Sequence, residues 1–175
     1  ARSGIEDSAL NSVFGYLGIE KKSDETYVGG IIISDSYGIP VEFKYTEPIK
    51  PTNLQKILYG KSIEKYLTVD VLSKKLIISI QEKPRFILVR DLTLLQTQSK
   101  YPIIFLDSIK KETTDADTSD ERYRTDMIGK EYKIVYVNNL TSDEYQWLTS
   151  ISKEIDILEP FSRLKEALDY VCSIK

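Results

Sequence analysis

Three side chains in the segment 35–44 have the types and spacing needed to bind a divalent metal ion beside a water-activating group. Asp35 and Glu42 supply two carboxylates, and Lys44 follows Glu42 by two residues. Alternate residues of a strand point to the same face, so Glu42 and Lys44 are predicted to share one face. A carboxylate pair can hold Mg²⁺, and a neighbouring amine can orient or deprotonate the attacking water. These residues therefore predict metal-dependent hydrolysis.

Gln55 and Tyr59 extend this pattern, because their four-residue spacing places them on one face of a predicted helix. All five residues together resemble the PD-(D/E)xK nuclease motif, including the Q-xxx-Y helix of some helicase-associated nucleases. The resemblance implies that Asp35 and Glu42 bind the metal and that Lys44 assists the water. It also implies that Gln55 and Tyr59 support the site.

The sequence departs from this family in one respect, since Asp35 lies only seven residues before Glu42. The family usually places the Asp further upstream, on the preceding strand. The alternative interpretation is that Glu42 and Lys44 form the solvated face of a half-exposed hairpin.

Two further aspartates stand at the ends of predicted buried strands, Asp91 after RFILVR and Asp107 after YPIIFL. Ligands of open α/β sheets bind beyond the carboxyl ends of parallel strands, so these positions are candidates for a site. A ribonuclease-H-like nuclease would also need an acidic residue within its first strand, whereas here Glu20 comes only at the end of VFGYLGIE. This absence favours an inactive or differently used scaffold, and Asp at a strand end is also ordinary turn or cap chemistry.

The passage 29–60 is dense in residues that fix the backbone path, and it reads GGIIISDSYGIPVEFKYTEPIKPTNLQKILYG. Its glycines and prolines define turns between a hairpin and a helix. The string resembles a block of uncharacterised bacterial hypothetical proteins, which implies no activity. Tyr37, Tyr45 and Tyr59 are predicted to form a binding surface, because an apolar ring with a polar tip suits a partly wet contact. The alternative is that the block only defines turns.

The composition excludes several mechanisms. There is no His and only one Cys, so Ser-His-Asp and Cys-His catalysis, intramolecular disulfides and Cys/His zinc sites are ruled out. No GxxxxGK[ST] loop is present. The formal net charge is −3 and the lysine pairs are scattered, so charge does not support a nucleic-acid partner.

Elements that position these residues are predicted from periodicity and turn signals. Strands are expected at 13–20, 27–34, 39–46, 85–89, 101–107 and 132–139, with a hairpin turn at 35–38. Helices are expected from Thr52 or Asn53 to Tyr59, from Ser62 to about Gln81, after Thr141 or Ser142, and after Pro160. The stretch 76–80 also fits a strand.

This order predicts a single α/β domain, 1–175, with a mixed sheet, an N-terminal antiparallel hairpin and covering helices. The order resembles ribonuclease-H-like folds and, less closely, the restriction-endonuclease-like core. Residues 1–10 are expected to form a flexible arm, and 110–128 a long solvated loop. No membrane segment or export signal is visible, so a cytoplasmic location is expected.

The function predicted from these features is a non-catalytic interaction or accessory module without a cofactor. It is expected to bind a protein partner or to self-associate. The alternative is a metal-dependent nuclease of PD-(D/E)xK type that uses Mg²⁺.

Overall fold

The computed structural model describes residues 12–109, 121–137 and 140–174, and a seven-stranded sheet runs through them. The strands are β1 (Val13–Lys21), β2 (Tyr27–Asp35), β3 (Pro40–Tyr45), β4 (Ile87–Val89), β5 (Ile103–Ser108), β6 (Arg124–Ile128) and β7 (Tyr132–Tyr136). The helices are α1 (Asn53–Tyr59), α2 (63–79), α3 (Ser142–Glu154) and α4 (Glu159–Ser173). Two short 3₁₀ turns, Gly60–Ser62 and Leu92–Gln96, connect these elements.

The sheet is mixed and has the strand order β3-β2-β1-β4-β5-β7-β6. Strands β1, β4 and β5 are parallel to one another, and β2 runs antiparallel to both of its neighbours, β1 and β3. Strands β6 and β7 add an antiparallel pair beside β5. The prediction of an α/β fold with a mixed sheet, an N-terminal antiparallel hairpin and covering helices is confirmed.

Helices cover both faces of the sheet. Helices α3 and α4 pack on one face, where Phe14, Tyr16, Leu88 and Ile104 meet Leu148, Leu164 and Leu168. Helix α2 and the 3₁₀ turn Leu92–Gln96 pack on the other, where Leu17, Ile31, Ile33 and Ile87 meet Val69, Leu76 and Leu94. Because strand residues alternate between the faces, neighbouring residues of β1 and β2 contribute to separate cores.

Helix α2 contains two kinds of turn, α-helical at both ends and π-helical in the middle. It begins as Ile63–Lys65, widens to π-helical turns over Tyr66–Ser73 and ends as an α-helix over Lys74–Ser79. Residues 76–79 are thus the end of a helix, in which Leu76 and Ile77 are buried, and Ile80 follows it in an extended conformation. Ser62, at which the sequence predicts the helix to start, does not cap α2, because its hydroxyl donates to the carbonyl of Tyr59.

The predicted solvated loop at 110–128 is wrong at its carboxyl end. Residues Arg124–Ile128 form the edge strand β6, which pairs with β7. Four of its five residues are exposed and only Ile128 is buried, so the segment carries almost no hydrophobic signal. Residues 110–120 of the predicted loop and the predicted arm at 1–10 lie outside the described residues. Within the described part of the chain, no helix has both the length and the apolar character needed to cross a membrane.

Candidate functional site

Asp35 closes the turn between β2 and β3. Its Oδ1 accepts hydrogen bonds from the backbone N–H groups of Tyr37 at 2.9 Å and Ile39 at 3.0 Å. Gly38 completes the turn at a φ of 82°, where a residue with a side chain is strained. The carboxylate of this predicted metal ligand thus stabilises the hairpin turn.

Glu42 joins β3 to the segment that follows α2. Its carboxylate accepts the backbone N–H groups of Gln81 at 2.9 Å and Glu82 at 3.0 Å. Lys44 lies two residues further on the same face, opposite Ile31 in the register with β2. Asp35 and Glu42 therefore bind two different stretches of backbone. Across the described residues, no three or more His, Cys, Asp or Glu side chains are grouped to hold a metal ion.

Gln55 and Tyr59 shape α1. The Thr52 hydroxyl accepts the N–H of Gln55, and the Gln55 side chain accepts the N–H of Thr52, which makes a complete capping box. The ring of Tyr59 stacks on Tyr66 with 4.2 Å between centroids. A hydrogen bond to Tyr66 raises the pKa of the Tyr59 hydroxyl. These contacts fix α1 and its junction with α2.

A cleft of about 380 Å³ lies at the carboxyl ends of β1 and β4. Glu20 and Asp91 line it, together with Arg90 and with Lys165 of α4. In the strand order, β1 and β4 are neighbours. The chain continues from β1 to β2, away from β4, and from β4 to β5, away from β1. Such a reversal of strand order opens a crevice in which α/β proteins commonly bind ligands. The structure thus brings together Glu20 and Asp91, which the sequence placed at the ends of two separate strands.

The charged residues of the cleft are held by specific contacts. The Arg90 Nη2 donates to Oδ1 of Asp107 at 2.9 Å, and the guanidinium lies 5.8 Å from the centroid of the Phe161 ring. Asp107 is the penultimate residue of β5 rather than a residue after the strand. Asp91 accepts the N–H of Thr93 at 2.9 Å and so caps the 3₁₀ turn Leu92–Gln96. The cleft offers two carboxylates and two cationic groups to a small polar ligand.

The segment 37–59 contains most of the large hydrophobic residues that are exposed in the described chain. Nine of the fourteen large hydrophobic residues that are exposed in the described chain fall within it. One group, here called the β3 face, consists of Val41, Phe43 and Tyr45, with the Phe43 and Tyr45 rings stacked at 5.5 Å. The second group, here called the α1 stripe, consists of Leu54, Ile57 and Leu58, which are 64–76% exposed.

The predicted tyrosine surface is divided among three places. Tyr45 belongs to the β3 face, and Tyr59 stacks on Tyr66. Tyr37 lines a cavity of about 480 Å³ with Trp147 and Ile155. Sequence reasoning missed the α1 stripe, although its spacing of three and four residues is visible in the sequence. The missing information was that α1 buries none of its residues.

Comparisons with known proteins find similarity in solved structures only. No protein-family model and no curated protein matches the chain. A variant of Ciona intestinalis endonuclease V, in complex with a 23mer DNA containing an inosine followed by a ribo-adenosine, is 9% identical at a TM-score of 0.49. That similarity covers 91% of this chain and 86% of the other. Marinitoga piezophila Argonaute in complex with a 5′ OH guide RNA is 13% identical at a TM-score of 0.36, over 85% of this chain and 26% of the other. These low TM-scores do not bear on function.

Proposed function

We propose that the protein is a non-catalytic α/β interaction module that binds a protein partner through the α1 stripe. The observation that carries the proposal is the exposure of Leu54, Ile57 and Leu58 on a helix without a buried residue. Spacings of three and four residues align these side chains, and an aligned apolar face is how helices insert into grooves on other proteins.

The charge around the stripe defines the chemistry of the partner. Residues 48–62 contain Lys50, Lys56 and Lys61 and no Asp or Glu, although the whole chain has a formal charge of −3. Lys56 is paired with Glu25, whereas Lys50 and Lys61 are exposed. The stripe therefore fits an apolar groove with an acidic rim, because opposite charges steer and orient association.

The hydrogen bonds of the hairpin carboxylates support the non-catalytic part of this proposal. Asp35 accepts two backbone N–H groups in its turn, and Glu42 accepts two beyond α2. Binding a metal ion would compete with these four contacts. A structural role explains both carboxylates without a catalytic centre.

The test compares two variants of equal design. Leu58→Ser removes an apolar side chain from the stripe, and Ile78→Ser removes one of the same 72% exposure from α2. Each protein is immobilised on a resin and incubated with extract of the source cells. The partner that it retains is identified, and its binding is then titrated by calorimetry. We expect Leu58→Ser to weaken binding of that partner about tenfold or more and Ile78→Ser to leave it unchanged. Equal binding by Leu58→Ser, or a partner without acidic residues at its contact, would contradict the proposal.

A second candidate function is a metal-dependent phosphodiesterase, because Glu20 and Asp91 line one cleft at the reversal of strand order. Two carboxylates suit Mg²⁺, which keeps several water ligands. The test is Mg²⁺- or Mn²⁺-dependent cleavage of single- and double-stranded DNA. Loss of cleavage in Asp91→Asn would assign it to the cleft. Loss in Lys44→Ala alone would assign it to Asp35, Glu42 and Lys44. Absence of cleavage in the unmodified protein would overturn both assignments.

A further inference from the structure

Strand β3 lies at the edge of the sheet and presents unpaired backbone groups. The N–H of Thr46 donates to the carbonyl of Gly29 in β2 at 2.9 Å, and the register pairs Gly30 with Tyr45 and Ile32 with Phe43. Backbone groups of an antiparallel strand alternate in direction. The N–H and C=O groups of Phe43 and Tyr45 therefore point away from β2, toward the outer side of β3. No other strand of the described residues pairs with that side.

The side chains of β3 separate by chemistry between the two faces of the sheet. Phe43 and Tyr45 lie on one face of the sheet, where they are 36% and 45% exposed, and Val41, which is 46% exposed, is the extra residue of a β-bulge at which the register with β2 shifts. Glu42 and Lys44 lie on the opposite face with opposite charges. Exposed, apolar edge strands are templates for pairing with another strand, and charged residues on one face then decide the register.

We infer that two copies of this chain associate through β3, which pairs antiparallel with β3 of the second copy about a two-fold axis at Phe43. In this register Phe43 lies opposite Phe43 of the second copy, and the two exchange backbone hydrogen bonds. Glu42 lies opposite Lys44 of the second copy, and the two-fold axis repeats this attraction between opposite charges. Tyr45 follows Phe43 on the same face of each copy, so the Phe43 and Tyr45 rings of the two copies join into one apolar surface.

Charge selects this register over its neighbours. In an antiparallel pair, the residues whose backbone N–H and C=O groups point toward the partner strand must lie opposite one another. The register can therefore shift only by two residues at a time, so that Phe43 and Tyr45 still face residues of this kind. A shift in one direction places Glu42 opposite Glu42 of the second copy. A shift in the other direction places Lys44 opposite Lys44. Like charges directly opposite one another destabilise a pair of strands, whereas the register centred on Phe43 contains two attractive pairs. This association is independent of the α1 stripe.

The experiment measures self-association by analytical ultracentrifugation of the full chain. The unmodified protein should show a monomer–dimer equilibrium. Glu42→Lys alone and Lys44→Glu alone should each raise the dimer Kd about tenfold, because each replaces two attractive pairs by two repulsive ones. An equimolar mixture of these two variants should recover the dimer as a heterodimer, since each Lys then faces a Glu.

A third variant tests the association independently, in case the charge variants misfold. Phe43→Pro removes an N–H that points away from β2, so proline at this edge position preserves the pairing with β2. It should abolish the dimer while leaving the circular dichroism spectrum unchanged. A protein that stays monomeric at millimolar concentration would overturn the inference. A dimer that survives Phe43→Pro, or charge variants that fail to associate when mixed, would overturn it equally.

Discussion

Strands β2 and β3 belong to one hairpin and yet have opposite environments. Eight of the nine residues of β2 are buried, whereas none of the six residues of β3 is. Both strands contain branched and aromatic residues, which are consecutive at 31–33 in β2 and alternate with charged residues in β3. The difference comes from position, because β2 lies between β1 and β3 and beneath helices on both faces, whereas β3 has a neighbour on one side only.

This contrast shows that apolar residues in a strand serve two different purposes. In β2 they fill the cores beneath α2 and α4, and removing them must destabilise the fold. In β3 the apolar residues Val41, Phe43 and Tyr45 stay exposed. Their contribution to the isolated chain is small, and they become important only when another surface covers them.

The largest expected effect separates the two strands directly. Ile33→Ala in β2 removes a side chain that is 0% exposed, so we expect a loss of roughly 2–5 kcal/mol in the free energy of unfolding. Phe43→Ala in β3, with 36% exposure, should cost less than about 1 kcal/mol in the monomer. Urea denaturation at low protein concentration measures both. Similar losses for the two variants would show that the β3 face is covered in the folded chain.

A smaller effect is expected from adding atoms beneath α4. A Cβ on Gly30 would lie 2.8 Å from Cδ2 of Leu168 and 3.0 Å from Cδ1 of Leu164, which is closer than van der Waals contact. Gly30→Ala should therefore destabilise the protein by about 1–3 kcal/mol. Lys44→Ala on β3 is the control and should change thermal unfolding little. A Gly30→Ala protein as stable as the unmodified one would mean that α4 can shift away from β2.

The smallest effect concerns Tyr16 of β1, whose hydroxyl donates to the carbonyl of Ile157 at 2.8 Å. Burial raises the pKa of Tyr16 in the folded protein. The folded state therefore holds its proton at a pH where the unfolded chain releases it. The free energy of unfolding should fall as the pH rises above about 10, the ordinary pKa of tyrosine. Tyr16→Phe should cost about 1–2 kcal/mol at neutral pH.

Guanidinium denaturation between pH 8 and pH 11 measures this dependence. Tyr16→Phe should flatten it, because the variant lacks the buried ionisable group. Tyr132 also has a pKa raised by burial, so part of the slope should remain. Tyr45→Phe on the exposed edge serves as the control. An unchanged slope in Tyr16→Phe would show that Tyr16 becomes accessible to solvent at high pH.

Local sequence signals predicted most of the elements correctly. Gly38 marked the hairpin turn, Thr52 and Thr141 marked helix starts, and Pro160 marked the first turn of α4. Each of these depends on residues within a few positions of one another, which a sequence displays directly. Strand β6 was not predicted because an exposed edge strand needs few apolar residues. Its pairing with β7 stabilises the strand instead.

The candidate sites depended on contacts between distant residues. Glu42 meets Gln81 and Glu82 about forty positions away, and nothing near Glu42 predicts that contact. Glu20 and Asp91 come together only because β1 and β4 are parallel neighbours. The spacing of the α1 stripe is visible in the sequence, but its exposure depends on what packs against α1.

The position of α4 has a consequence for the order of folding during synthesis. Arg163 donates to the carbonyl of Gly38, 125 residues earlier, and Lys22 pairs with Asp169. The hairpin therefore leaves the ribosome long before the helix that covers it. Until then the part of β1 and β2 that α4 covers, at Gly18 and Gly30, lacks its helix. A nascent chain stalled before Glu159 would expose this surface to chaperones. Once α4 has left the ribosome, it would cover the surface.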